Sequence, residues 1–111
     1  RWRGQGLNAV IRPGMITSDE PGIYIPNEFG IRHENEVLAV ADEKNFYGQF
    51  MHFEPLTWVP FDVDGLDISL FQENEIAWLN DYHQKVYATI SPYLDADEKA
   101  WLEKACSPIS K

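Results

Sequence analysis

Asp19-Glu20-Pro21-Gly22-Ile23-Tyr24, followed after a short gap by Gly30-Ile31-Arg32-His33-Glu34-Asn35, is the stretch that decides how this chain is read. Each half brings a glutamate into an extended segment beside turn residues, and the residues between them suffice to lay the two segments side by side as an irregular antiparallel pair. Side chains alternate across a strand, so Arg32 and Glu34 share one face and His33 takes the other. If Glu20 lies across from Glu34, two buried carboxylates converge beside one guanidinium. Two such charges repel unless a cation lies between them. That arrangement suits a hard divalent metal or a metal pair, with Arg32 ordering the ligands from behind. The competing reading is an exposed glutamate pair with an Arg32–Glu34 ion pair, since carboxylates are ordinarily at the surface.

Outward from this stretch, the first half reads as short strands between turns. Arg12-Pro13-Gly14 stops the apolar run Asn8-Ala9-Val10-Ile11, and Met15-Ile16-Thr17-Ser18 leads to a second Pro-Gly. Ile23-Tyr24-Ile25 is strand-like and turns at Pro26-Asn27-Glu28. Residues 29–34 are expected to form a strand that continues through 36–41, and Asp42-Glu43-Lys44-Asn45 is expected to be a polar loop or hairpin tip. Residues 54–61 alternate apolar and polar between two prolines, which limits them to an edge strand or an extended crossing.

Beyond a loop at 62–67, the spacing predicts a helix over 73–90. Ile76, Leu79, Val86 and Ile90 share its apolar face, and Trp78, Tyr82 and Tyr87 widen it. Pro92 ends it. Asp95 with Glu98 three positions later predicts a capping box and a second helix to about Ala105. The fold class is therefore α+β: an antiparallel, strand-rich part (1–53) followed by a two-helix extension (54–111). The aromatic residues between Trp78 and Trp101 are expected to be mostly core, with a subunit interface as the alternative.

Composition narrows the function. The chain has 111 residues, 9 basic against 18 acidic, and a formal net charge of −9. Its positive residues are scattered, so nucleic acid is not an expected partner. At 44% hydrophobic and 14% aromatic it is built to fold. No apolar run is long enough for a membrane span, and the lone Cys106 excludes an internal disulfide and suits a reducing compartment. The opening Arg1-Trp2-Arg3-Gly4-Gln5-Gly6 has neither Met nor capping signal, so the sequence is expected to be a C-terminal piece of a longer protein. An EF-hand reading of Asp62-Val63-Asp64-Gly65 fails, because Leu66 and Asp67 stand where an oxygen ligand and a glycine are needed. His83 is read as a hydrogen-bonded packing histidine, His52 as a lone one, and Cys106 as inert.

Gly14-Met15, the Glu-Pro-Gly-Ile-Tyr segment and the Gly-Ile-Arg-His-Glu-Asn segment resemble the metal-site motifs of the pita-bread (creatinase-like) metallopeptidases. Within that superfamily the chain is most similar to Xaa-Pro aminopeptidases. Phe53-Glu54-Pro55-Leu56-Thr57, Trp78-Leu79-Asn80-Asp81-Tyr82-His83 and Pro108-Ile109-Ser110 resemble the C-terminal extension of the long, cytosolic type.

The resemblance implies that Glu20 ligates one of two divalent ions, commonly Mn2+, and serves as general base, while Glu34 bridges both ions. It further implies that Arg32 pairs with the metal carboxylates, that Tyr24 lines the substrate side, and that the extension takes part in homodimerisation in the cytoplasm. The activity implied is hydrolysis of the bond between an N-terminal residue and a following proline. The family's remaining ligands, two aspartates and a histidine, belong N-terminal to the matched segments, so this chain alone is expected to bind metal weakly and to be inactive. His33 stands where the family usually has an apolar residue and is read as packing or surface. The rival reading is a non-catalytic interaction module whose glutamates are vestigial.

Overall fold

A computed structural model describes residues 10–111. The opening of the chain, including Asn8 and Ala9 of the first apolar run, lies outside the described residues, and Val10 and Ile11 form no strand. The chain divides into two compact units. One comprises the described residues up to Ile23 together with Arg32–Thr57, and the other comprises Tyr24–Ile31 together with Trp58–Lys111.

The first unit is built on a three-stranded antiparallel sheet in the order β1 (Ile16–Asp19), β4 (Asn35–Asn45), β5 (Gly48–Pro55). The Pro13-Gly14 turn forms as its sequence demands. Gly14 adopts φ +87°, the Met15 amide donates to the Arg12 carbonyl at 3.1 Å, and the Gly14 amide donates to the Ala39 carbonyl at 2.8 Å. A positive φ at the residue after a turn proline favours glycine. β1 then runs along β4 in the register Ile16↔Leu38 to Asp19↔Asn35. Ala39 and Asn35 are the buried residues of β4, four apart and therefore on one face. The Asn35 side chain accepts from the Thr57 amide at 3.3 Å, and Thr57 Oγ1 accepts from the Glu36 amide at 3.0 Å. These bonds tie the start of β4 to the end of the β5 segment.

Two sequence expectations change here. Residues 29–41 are not one strand: β3 (Phe29–Arg32) pairs with β2 (Gly22–Ile25), and β4 begins afresh at Asn35 on a different partner. His33 and Glu34 form the break between them. The polar run 42–45 is not a loop either. It belongs to β4, with a register shift between Ala41 and Lys44, and the hairpin turns instead at Phe46 and Tyr47. Side-chain bonds draw the tip outward: Asn45 Oδ1 accepts from the Tyr47 amide at 3.0 Å, and Gln49 Nε2 donates to the Asp42 carbonyl at 2.8 Å. Gly48, at φ +134°, closes the turn in a conformation open to glycine. Residues 54 and 55 close β5, and 56–61 form no strand and cross as extended chain, the second of the two alternatives for that segment.

The second unit gathers around α1 (Glu73–Ile90) and α2 (Ala96–Ala105), both within the bounds that periodicity and capping predicted. Glu75 accepts from the Gln72 amide at 2.7 Å, so Gln72 is held at the N-terminus by a reciprocal bond despite its poor capping chemistry. At α2, Asp95 Oδ1 accepts from the amides of Asp97 and Glu98, and Glu98 returns the bond to the Asp95 amide. Leu79, Tyr82, Val86, Leu102 and Cys106 form the buried core, and each fully buried aliphatic side chain contributes about 1.5–3 kcal/mol. Trp78 and Trp101 are exposed, contrary to a mostly buried aromatic set. Trp78 lies on the outer side of Tyr82, stacked on its ring at 5.7 Å.

Two successive α1 residues hold the crossing segment. Tyr82 Oη donates to the Val59 carbonyl at 2.9 Å, and the Phe61 amide donates to His83 Nε2 at 3.1 Å. Asn80 holds the C-terminal tail by a reciprocal pair, accepting from the Ile109 amide at 2.9 Å and donating to its carbonyl at 3.0 Å. Burial pushes the Cys106 thiol above its ordinary pKa, which suits the inert role expected of it.

His83 is fully buried, and burial lowers its pKa from 6.5. Its Nε2 must stay unprotonated to accept from Phe61. The folded state thus binds fewer protons than the unfolded chain as pH falls below 6.5, so this stabilisation is complete above that value and declines beneath it. Urea denaturation followed by tryptophan fluorescence should give a lower midpoint at pH 5 than at pH 7.5, and His83→Gln should flatten that dependence. A wild-type midpoint that holds steady or rises on acidification would contradict the assignment.

Candidate metal centre

The β1–β4 ladder ends at Asp19↔Asn35, so the next residue of each arm, Glu20 and Glu34, leaves the sheet side by side. A second backbone tie reinforces this, because the His33 amide donates to the Pro21 carbonyl at 3.3 Å. Both carboxylates reach the same atom. Arg32 Nε lies 3.1 Å from Glu34 Oε2 and 3.8 Å from Glu20 Oε2. Ser18 adds a bond, its hydroxyl donating to Glu20 Oε1 at 2.7 Å.

The three charged side chains are not buried as a converging carboxylate pair would suggest. Arg32 and Glu20 are each 48% exposed and Glu34 is 40% exposed. The site is an open acidic notch at the end of a strand pair, where water screens its charges and Arg32 offsets part of the repulsion. Among the described residues, no group of three or more His, Cys, Asp or Glu is placed to hold a metal ion. The notch therefore presents two hard oxygen donors, which suit Mn2+ or Mg2+, but far fewer than such ions require.

Tyr24 lies in β2 with its side chain exposed. His33 is half-buried on the segment between β3 and β4, as its packing-or-surface reading anticipated. His52 is not a lone histidine. Its Nδ1 lies 3.3 Å from Asp42 and its Nε2 lies 3.4 Å from Glu54. The two carboxylates meet opposite edges of the ring, so this group has no common point for a cation. Sequence reasoning assigned no role to Ser18 or Asn35. The signal for Ser18 was its place two residues before Glu20, hence on the same side of an extended chain; Asn35 gave no such signal, because its partner Thr57 is remote in sequence.

Residues 2–41 match metallopeptidase family M24, and residues 49–109 match the C-terminal region of peptidase M24. The chain belongs to metallopeptidase family M24. Over 98% of its length it is 39% identical to aminopeptidase P1 of Arabidopsis thaliana, and over 93% it is 37% identical to Xaa-Pro aminopeptidase 2 of Rattus norvegicus. It spans only 17% and 16% of those two proteins. Among solved structures it resembles the X-prolyl aminopeptidase of Caenorhabditis elegans, described as a cytosolic enzyme with a di-nuclear active site. That match has a TM-score of 0.75 at 34% identity, covering 89% of this chain and 17% of that one. The α+β class, antiparallel strands followed by two helices, is thus the fold of the matching part of an M24 enzyme.

Because the ion pairs of this M24 notch are half-exposed, their net worth is small. Arg32→Ala should change unfolding free energy by less than about 1 kcal/mol, and added salt should shrink the difference further. A loss several times larger in urea titration would mean that the guanidinium holds the notch together.

Proposed function

We propose that this chain is the C-terminal part of a dinuclear-metal aminopeptidase that hydrolyses the peptide bond between an N-terminal residue and a following proline. The observation that carries the reading is the meeting of Glu20 and Glu34 at one Arg32 nitrogen. Residues 1–53 supply part of the catalytic domain, and residues 54–111 form an extension through which two copies associate. The names of the M24 relatives support the substrate class. The description of the nematode enzyme supports a metal pair and a cytoplasmic setting.

Glu34 would serve both ions and Glu20 one of them, and their carboxylate oxygens would suit a hard cation such as Mn2+. Two hard divalent cations, when bound, lower the pKa of water and stabilise negative charge developing on a carbonyl oxygen. Glu20 takes the proton of the attacking water as general base, and the Ser18 hydroxyl on Oε1 leaves Oε2 directed at Arg32. Arg32 orients the two carboxylates and offsets part of their repulsion before metal arrives. Tyr24 contributes to the substrate side.

Two carboxylates cannot complete two coordination shells, so the 111-residue chain should bind Mn2+ only weakly and cleave no Xaa-Pro peptide. Calorimetric titration giving micromolar or tighter affinity would contradict this. In the full-length polypeptide, Glu34→Ala should reduce turnover of an Xaa-Pro peptide by several orders of magnitude, because both ions lose a ligand. Arg32→Ala should cost about 10–100-fold in metal affinity or activity. Unchanged turnover in Glu34→Ala would leave these glutamates without a catalytic part.

A further inference from the structure

Glu20 and Glu34 meet at Arg32, yet the two carboxylates are not held alike. Arg32 Nε donates to Glu34 Oε2 at 3.1 Å, within hydrogen-bond range, and stands 3.8 Å from Glu20 Oε2, beyond it. Both partners of the longer contact are half-exposed, so water screens it and it fixes a long side chain poorly. The short contact of Glu20 is with Ser18, whose hydroxyl donates to Oε1 at 2.7 Å. A hydrogen bond to an ionised carboxylate is about twice as strong as one between neutral groups.

The strand pairing explains why this serine is placed to do so. Ser18 belongs to β1, two residues before Glu20, so both side chains leave the chain on one side. The ladder sets Glu36 directly across from Ser18, on that same face. Glu20 therefore lies over a surface that carries the negative charges of Glu34 and Glu36, with the guanidinium nearer to Glu34. Repulsion alone would swing its carboxylate outward to water. The Ser18 hydroxyl opposes that swing, gripping Oε1 while Oε2 stays on the Arg32 side.

We infer that Ser18 is the positioning residue of Glu20: its hydroxyl sets the rotamer in which that carboxylate meets a metal ion, while Arg32 does the same for Glu34. The inference rests on the reading of Glu20 as the ligand of one ion and Glu34 as the ligand of both. The notch then consists of two separately anchored carboxylates. A glutamate held in place beforehand loses less rotamer freedom when an ion binds. Loss of the hydroxyl is accordingly felt at the ion that Glu20 serves and spared at the other.

Calorimetric titration of Mn2+ into the metal-free full-length polypeptide tests this, with Ser18→Val and Ser18→Thr compared. Both introduce a β-branched side chain suited to a strand, and they differ in the hydroxyl. Ser18→Val should weaken one of two Mn2+ sites by about tenfold or more and the other by less than about threefold. Ser18→Thr should bind both ions as the wild type does. On a Glu20→Ala background, Ser18→Val should have no further effect, because the hydroxyl has lost its acceptor.

Glu20→Ala that leaves both Mn2+ sites intact overturns the reading of Glu20 as a ligand, and the inference with it. Where Glu20→Ala weakens a site and Ser18→Val binds like the wild type, the inference alone falls. Ser18→Val and Ser18→Thr weakening binding alike, or both sites weakened equally, would assign Ser18 to strand packing and overturn it. A Ser18→Val loss that persists in full on the Glu20→Ala background overturns it as well. Should Ser18→Val lose its circular dichroism signal, Ser18→Ala takes its place in every comparison.

Discussion

The pairing of Asp19 with Asn35 is the constraint from which the acidic notch follows. It is the last rung of the β1–β4 ladder, and it determines that Glu20 and Glu34 emerge as neighbours. A strand register slipped by one residue turns every side chain to the opposite face. Here it would part the two carboxylates and strand Arg32 between them. What holds the rung is not a large apolar core but polar detail: the Asn35 side chain on Thr57, Thr57 on the Glu36 amide, and His33 on the Pro21 carbonyl. The acidic notch is therefore positioned by backbone bonds at its edges, and Arg32 adds orientation to a geometry already set.

The second unit is organised on a different principle. Its stability comes from a compact apolar cluster between two capped helices, to which irregular segments are tied by single polar bonds. Tyr82 and His83 illustrate this, since adjacent residues of α1 hold adjacent stretches of the crossing chain through a donor and an acceptor respectively. One consequence is a division of labour along the sequence. The sheet unit exposes Glu20, Arg32 and Glu34 on an open surface, whereas the helical unit buries its polar anchors and exposes tryptophans instead.

Where the sequence was legible, a local physical rule was enough. Asp95 with Glu98 marked the start of α2, Pro13-Gly14 marked a turn, and the apolar spacing from Ile76 to Ile90 marked α1. The glutamate pair was legible because both residues flank turn signals at a spacing that folds back on itself. Legibility failed where tertiary bonds overruled composition. Asp42 to Asn45 look like a loop, yet cross-strand bonds from Gln49 draw them into β4 and push the turn onto two aromatics. The break at His33 was invisible because it depends on a change of strand partner, which no local pattern encodes. Between a buried carboxylate pair and an exposed one with an Arg32–Glu34 ion pair the sequence could not choose, since burial is a property of what surrounds a strand end.

Cys106 leads to a practical end. It is the chain's one sulfhydryl, enclosed in the helical core with its ionisation suppressed. Maleimides and oxidants react with thiolates, and this one is both shielded and protonated at neutral pH. The molecule consequently offers a silent background for site-directed labelling: a cysteine engineered at an open position would carry a fluorophore or spin probe alone, with no need to remove the native one first.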